Sequence, residues 1–169
     1  APPPPPSFLL WLDGETGPGG VQKIVREGVE GGMTADLSSM EAAYKGKYGY
    51  ELRVTQTFEQ DFYAFMGLPA FLVTDHERVY RLSFWAKATG NPKPRPHITF
   101  QDEDNNYEYI YGDFVQLSAF WHQYHVDLVV PFKLRGHNVI TNFMVGGFEG
   151  VYYFDDIQVV NAGFVAPPP

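Results

Sequence analysis

Three tyrosines at alternate positions, Tyr107, Tyr109 and Tyr111, follow a polar turn that ends at Asn106 and begins beside Gln101. On an extended strand that spacing sets all three rings on one face. Sugar rings offer flat C–H faces and hydroxyl edges. A surface that holds them needs rigid aromatic platforms next to planar polar groups. Buried amides then penalise a ligand that leaves them unpaired. Cross-strand aromatic packing is the other use such a ladder can have. Trp85 shares a strand face with Arg81, Ser83 and Lys87, either as a second platform or as a cover over the outside of a sheet. Tyr63, with Phe65, is a candidate opposing wall. Asn142 and Met144 lie on the opposite strand face from Thr141 and Phe143, and Arg26 either reaches a hydroxyl or stays solvated.

A different chemistry sits in residues 151–160, where Asp155 and Asp156 interrupt an aromatic, β-branched run. Desolvating a carboxylate is costly unless something satisfies it. A hard cation such as calcium does so with oxygen ligands. Backbone N–H groups or an arginine would also serve. Strand parity puts the two side chains on opposite faces, so one ion is not expected to take both.

Catalytic constellations are weak. Glycoside hydrolysis needs two carboxylates about 5 to 9.5 Å apart across the scissile bond. Glu51, Asp102, Glu103, Asp104, Glu108 and Asp113 are available, but most fall in turns, where acids are common for local reasons. No Gly-x-Ser-x-Gly, His-Glu-x-x-His or phosphate-binding loop is present. His122 and His125 have no zinc-ligand spacing and read as surface residues. The absence of cysteine excludes disulfides and thiol chemistry. A binding protein is therefore expected, not an enzyme. A small hydrolase and an adhesion module for a protein or surface glycan remain the alternatives.

The elements that must position these residues are strands. Short apolar alternations are separated by Gly, Pro, Asn and Asp, the pattern of a sandwich or jelly roll. Residues 80–87 alternate most clearly, with Tyr80, Leu82, Phe84 and Ala86 on one face. Ile98 and Phe100 point inward, with His97, Thr99 and Gln101 outward. Further strands are expected at 8–12, 21–27, 50–55, 62–66, 107–111, 121–130, 139–145 and 151–160. Residues 34–44 alone have helical character.

The 169-residue length suits one domain with a sizeable core. A net charge of −8 argues against nucleic acid and anionic membrane surfaces. Proline runs at 2–6 and 167–169 read as semi-rigid spacers. The expected organisation is a linker at 1–7, a module at 8–161 and a linker at 162–169.

Taken in order, "YRLSFWAKA", a hairpin, "FWHQYHVDLVVP" and "YYFDDIQVV" resemble carbohydrate-binding modules of the family 4, 9 and 22 type. Asp13-Gly14-Glu15-Thr16-Gly17 partly resembles the opening turn of that group, and Gly46-Lys47-Tyr48 a later element. The resemblance implies an all-β, galactose-binding-like jelly roll of two antiparallel sheets. It implies docking of a β-linked polysaccharide, whether xylan, mixed-linkage β-glucan or amorphous cellulose, by a tyrosine of the 101–111 hairpin, with polar contacts from the late strand that carries Asn142 and Met144. It makes Trp121 a structural residue packed in the core. It favours Asp155, with Glu15 and carbonyls of the 13–17 and 45–49 loops, as ligands of a structural Ca2+ remote from the sugar. The implied setting is a secreted, extracellular monomer, joined through the Pro-rich linkers to a catalytic domain whose local substrate concentration it raises.

Overall fold

Apolar residues at every second position bury only one face of a strand, so two such sheets must close on each other. The computed structural model describes residues 8–15, 17–74 and 78–164, and shows this arrangement. Twelve strands follow in order: β1 (Phe8–Leu12), β2 (Gln22–Val25), β3 (Gly32–Ser39), β4 (Gly49–Gln56), β5 (Ala64–Gly67), β6 (Phe71–Leu72), β7 (Arg78–Ala88), β8 (His97–Asp102), β9 (Glu108–Phe114), β10 (His122–Val129), β11 (Asn138–Met144) and β12 (Gly150–Phe164). They form two antiparallel sheets. One has the order β10-β7-β12-β4-β3, with β1 also on β12; the other has β2-β5-β11-β8-β9, with β6 also on β11. The predicted linkers lie outside the described residues, except for 162–164, which continue β12.

The core between the sheets is aromatic. Phe84 and Phe154 of the first sheet meet Phe143 of the second, each with ring centroids 5.0 Å apart. Tyr50, Tyr80 and Tyr152 are also buried there. The Tyr152 hydroxyl donates to the Val145 or Phe148 carbonyl at 3.0 and 2.8 Å, so its burial leaves no donor unpaired.

Residues 34–44 are not helical. Their first part belongs to β3, where Met33, Ala35 and Leu37 alternate against β4. Sheet pairing and burial of Met33 override the helix propensity of the Met-Glu-Ala-Ala stretch that follows, which forms a loop.

On the outer face of the first sheet Arg81 donates to Asp127 through Nε and Nη2 at 2.8 and 3.0 Å. Those bonds hold the Asp127 carboxyl below its usual range. A depressed folded pKa stabilises above the unfolded value, and the gain is lost as pH falls through the folded value. The pair is solvent-screened and worth less than about 1 kcal/mol. In urea titrations Arg81→Gln should therefore cost less than about 1 kcal/mol at pH 7 and less still at pH 3. An equal loss at both pH values would contradict this account.

Candidate functional site

The outward face of the second sheet is the one that forms a cleft. Parity sends His97, Thr99 and Gln101 of β8, Ile140, Asn142 and Met144 of β11, and Phe65 and Gly67 of β5 away from the core. Two cavities of about 470 and 340 Å³ lie over these strands, and both are lined by Phe65, Gln101 and Asn142. They make one trough. Tyr107 and Pro69 rim one part of it, and Phe62 and Tyr109 the other.

Polar groups of the floor are locked to each other. Asn142 donates through Nδ2 to Gln101 Oε1 at 2.6 Å, and Gln101 Nε2 donates to the Tyr107 carbonyl at 3.2 Å. Asn142 is almost fully buried. The pair thus presents the amide edges that a hydroxyl-rich ligand requires, at no further ordering cost. His97 stacks on Phe114 at 4.2 Å and has Nδ1 3.3 Å from Asp61 Oδ2. A Cβ on Gly112 would fall 2.8 Å from His97 Nε2 and 2.9 Å from the Tyr109 hydroxyl. Glycine there lets Tyr109 lie against the sheet with its ring 56% exposed.

The tyrosine ladder is not a ladder. β9 begins at Glu108, and Tyr107 sits in the turn with φ +59°, after Asn106 at +54°. Between Phe100 and Gln101 the β8–β9 register shifts: Gln101 faces Tyr109, but Phe100 faces Tyr111. This bulge inserts Ile110, which packs on the core, and turns Tyr111 to the opposite face from Tyr109. Tyr107 and Tyr109 therefore reach the trough and Tyr111 does not.

Two other predicted residues are also elsewhere. Trp85 is on the outer face of the first sheet, where Tyr44 stacks on it at 3.8 Å. Trp121 lies beside them, 5.6 Å from Tyr44 and outside the buried core. Tyr63 faces Arg26, whose guanidinium carbon is 4.7 Å from the ring centroid. The cause is a 3-10 turn at Asp61–Tyr63, which breaks the alternation and gives the wall to Phe62 and Phe65. His97 shares the outward face with Gln101, as the alternation of its strand predicts. Nothing in the residue pattern marked Phe62.

The carboxylate pair has its own geometry. β4 covers one edge of β12 as far as Phe154, and β1 covers it from Ile157 onward. Between them Asp156 adopts φ +49°, and the β12–β7 register slips by one residue. Parity is broken there, so both carboxylates are buried. Asp156 Oδ1 accepts from Trp11 Nε1 and Gln158 Nε2 at 2.7 and 3.0 Å, and Oδ2 is 3.4 Å from Lys45 Nζ. Asp155 accepts the N–H groups of Tyr44 and Lys45 on Oδ2 and its neighbour's on Oδ1, all at 2.8 Å. Burial still pushes its pKa up to about 6, against the lowering effect of those bonds.

Glu15 accepts from the Lys47 and Tyr48 N–H groups at 3.0 to 3.1 Å, and these donors hold its pKa low. Glu15 and Asp155 thus grip one short segment, residues 44–48. Gly46 is part of the fit: with φ +69°, a Cβ would lie 2.3 Å from Glu15 Oε1. Burial, Asp13 and Asp155 raise the pKa of the buried Tyr50 hydroxyl to about 12, against the lowering effect of the Gly14 backbone. Among the described residues no three acidic or histidine side chains converge as a metal cluster. An ion here would take two carboxylates and otherwise carbonyl oxygens. Carboxylate and carbonyl oxygens suit a hard cation, but both oxygens of Asp155 and of Glu15 already accept backbone N–H groups, the other means of satisfying them that the sequence left open.

No family model and no curated protein matches the sequence. Solved structures do. A family 4 carbohydrate-binding module superposes with a TM-score of 0.64 at 17% identity, over 88% of this chain and 91% of its own. The CBM22-1 xylan-binding domain of Paenibacillus barcinonensis Xyn10C gives 0.59 at 16% identity, over 95% and 97%. The C-terminal family 22 module of Clostridium thermocellum Xyn10B gives 0.60 at 15% identity, over 95% and 96%. The fold of this chain is that of carbohydrate-binding modules of the 4 and 22 type, a β-sandwich jelly roll.

Proposed function

We propose that this protein is a non-catalytic carbohydrate-binding module whose ligand lies in the trough over β5, β11 and β8. The observation that carries this reading is the coincidence of two things on one outward sheet face: aromatic rims from Tyr109, Phe62 and Phe65, and a locked Gln101–Asn142 amide floor. Stacking supplies contact area, and the amides reject chains whose hydroxyls do not match. A neutral β-linked polysaccharide, xylan, mixed-linkage β-glucan or amorphous cellulose, fits that chemistry. The neighbour described as a xylan-binding domain puts xylan first.

Three of the acids weighed for hydrolysis are held by other partners, and a fourth, Glu103, lines the trough. Asp102 is 2.8 Å from His137 Nδ1, Asp104 accepts from the Asn138 N–H, and Glu108 pairs with Lys133. A docking role in a secreted protein, tethered to a hydrolase through its Pro-rich ends, is consistent with this. Ca2+ held by Glu15, Asp155 and carbonyls of the adjoining loops would supply charge compensation, away from the trough. Affinity electrophoresis in gels containing xylan, barley β-glucan, hydroxyethylcellulose or mannan tests the reading. Retardation by one of them is expected. Migration unchanged in all four would reject a neutral-glycan site.

A further inference from the structure

The outer face of the first sheet carries a cationic niche remote from the trough. A cavity of about 240 Å³ is lined by Lys87, Thr89, Lys93, Ala119 and Tyr153, together with Ala88 and Gly90. No carboxylate is among these residues, in a chain of net charge −8. Both ammonium groups are held in place. Lys93 Nζ donates to the Gly90 carbonyl at 2.7 Å. Lys87 Nζ stands 5.1 Å from the Trp121 ring centroid and 5.2 Å from that of Tyr153.

Neither lysine forms an ion pair among the described residues. Each ammonium has three donors, and Lys93 uses one on Gly90. Of the two acids acting on Tyr153, Glu51 is already engaged by the Ser39 hydroxyl at 3.2 Å and by Arg53 at 3.7 Å; Glu41 is the other. Gly90 also lines a second cavity of about 710 Å³, with Arg53, Thr55, Phe148 and Glu149.

We propose that this niche binds the anionic group of an acidic saccharide, a carboxylate or a sulfate ester, between Lys87 and Lys93, with the sugar ring against Tyr153. Two pre-ordered ammonium groups beside an aromatic face match that combination of charge and flat apolar surface. A chain of this net charge repels polyanions at long range, so retention requires a specific contact.

The test is affinity electrophoresis of the full chain in gels containing polygalacturonate, dextran sulfate or neutral dextran. Retardation by polygalacturonate alone would identify the anion as a uronate, and by dextran sulfate alone as a sulfate ester. The Lys87→Gln/Lys93→Gln variant should lose at least tenfold in affinity. Arg81→Gln/Arg135→Gln, with the same change in net charge, should keep it, and so should Tyr109→Ala, which probes the trough. Near-UV circular dichroism checks the fold, and Lys93→Gln alone should give an intermediate loss. No retardation by either polyanion would overturn the proposal. So would retardation that survives in the folded lysine pair variant, or that Tyr109→Ala abolishes.

Discussion

Tyr109→Ala is expected to weaken glycan binding by roughly 1–3 kcal/mol, the range of an interface hot spot, while the melting temperature stays near that of the parent. The ring is more than half exposed at the trough, so its loss opens little of the core. Its hydroxyl lies 2.9 Å from where a Cβ of Gly112 would stand, so glycine at that position is what lets the ring extend along the sheet. The contrast with Tyr111 sharpens the expectation. Tyr111 is two residues away and also exposed, but the bulge at Ile110 turns it to the other face. Tyr111→Ala should change affinity by less than about 0.5 kcal/mol, as surface substitutions away from a site do. Isothermal titration with the glycan found by electrophoresis measures both. Equal losses for the two variants would mean that the trough is not the site, and an unchanged Tyr109→Ala would remove that ring from it.

Removing calcium is expected to lower stability by about 4 kcal/mol when the ion had been present at a thousandfold excess over its dissociation constant. For a domain of this size, with about 2–4 °C per kcal/mol, the melting temperature should fall on the order of 10 °C. The reason is Asp155. It is buried, and three N–H donors do not fully offset the desolvation of its charge. A bound cation would remove that penalty and tie residues 44–48 to both Asp155 and Glu15. Differential scanning calorimetry with calcium and then with excess EDTA checks this. In Asp155→Asn the calcium-dependent increment should disappear. A parent protein whose melting temperature is the same in calcium and in EDTA would refute the metal assignment. Glycan affinity should persist in EDTA below the transition, since no residue of the trough lies in the 13–17 or 44–48 segments.

The sandwich was legible because its signal is local and repeated. Tyr80, Leu82, Phe84 and Ala86 all face the core, as do Ile98 and Phe100, because side-chain direction follows from period two along any unbroken strand. The same rule assigned Gln101 to the outward face, where it meets Asn142, which the family resemblance had marked as a polar contact. It failed where the strand is broken. Tyr111 was misplaced by the bulge at Ile110, and Tyr63 by the 3-10 turn before β5. Asp155 and Asp156 were assigned opposite faces, although the pattern carried a warning: the apolar residues of the core step by two from Tyr152 to Phe154 and by three from there to Ile157. No comparable mark surrounds Ile110, where Tyr107, Tyr109 and Tyr111 keep one parity.

By itself, then, the order of residues determined the fold class, the inward and outward sets of each regular strand, and the acidic, cysteine-free chemistry available. Only the tertiary structure decided which outward face became the trough, which tyrosines reach it and what satisfies the two aspartates. Alternation is a property of one strand and can be read one residue at a time. A bulge is chosen by the pairing of two strands distant in sequence, and a cleft by which sheet face the loops leave uncovered. Those energies arise between segments, so no single segment records them.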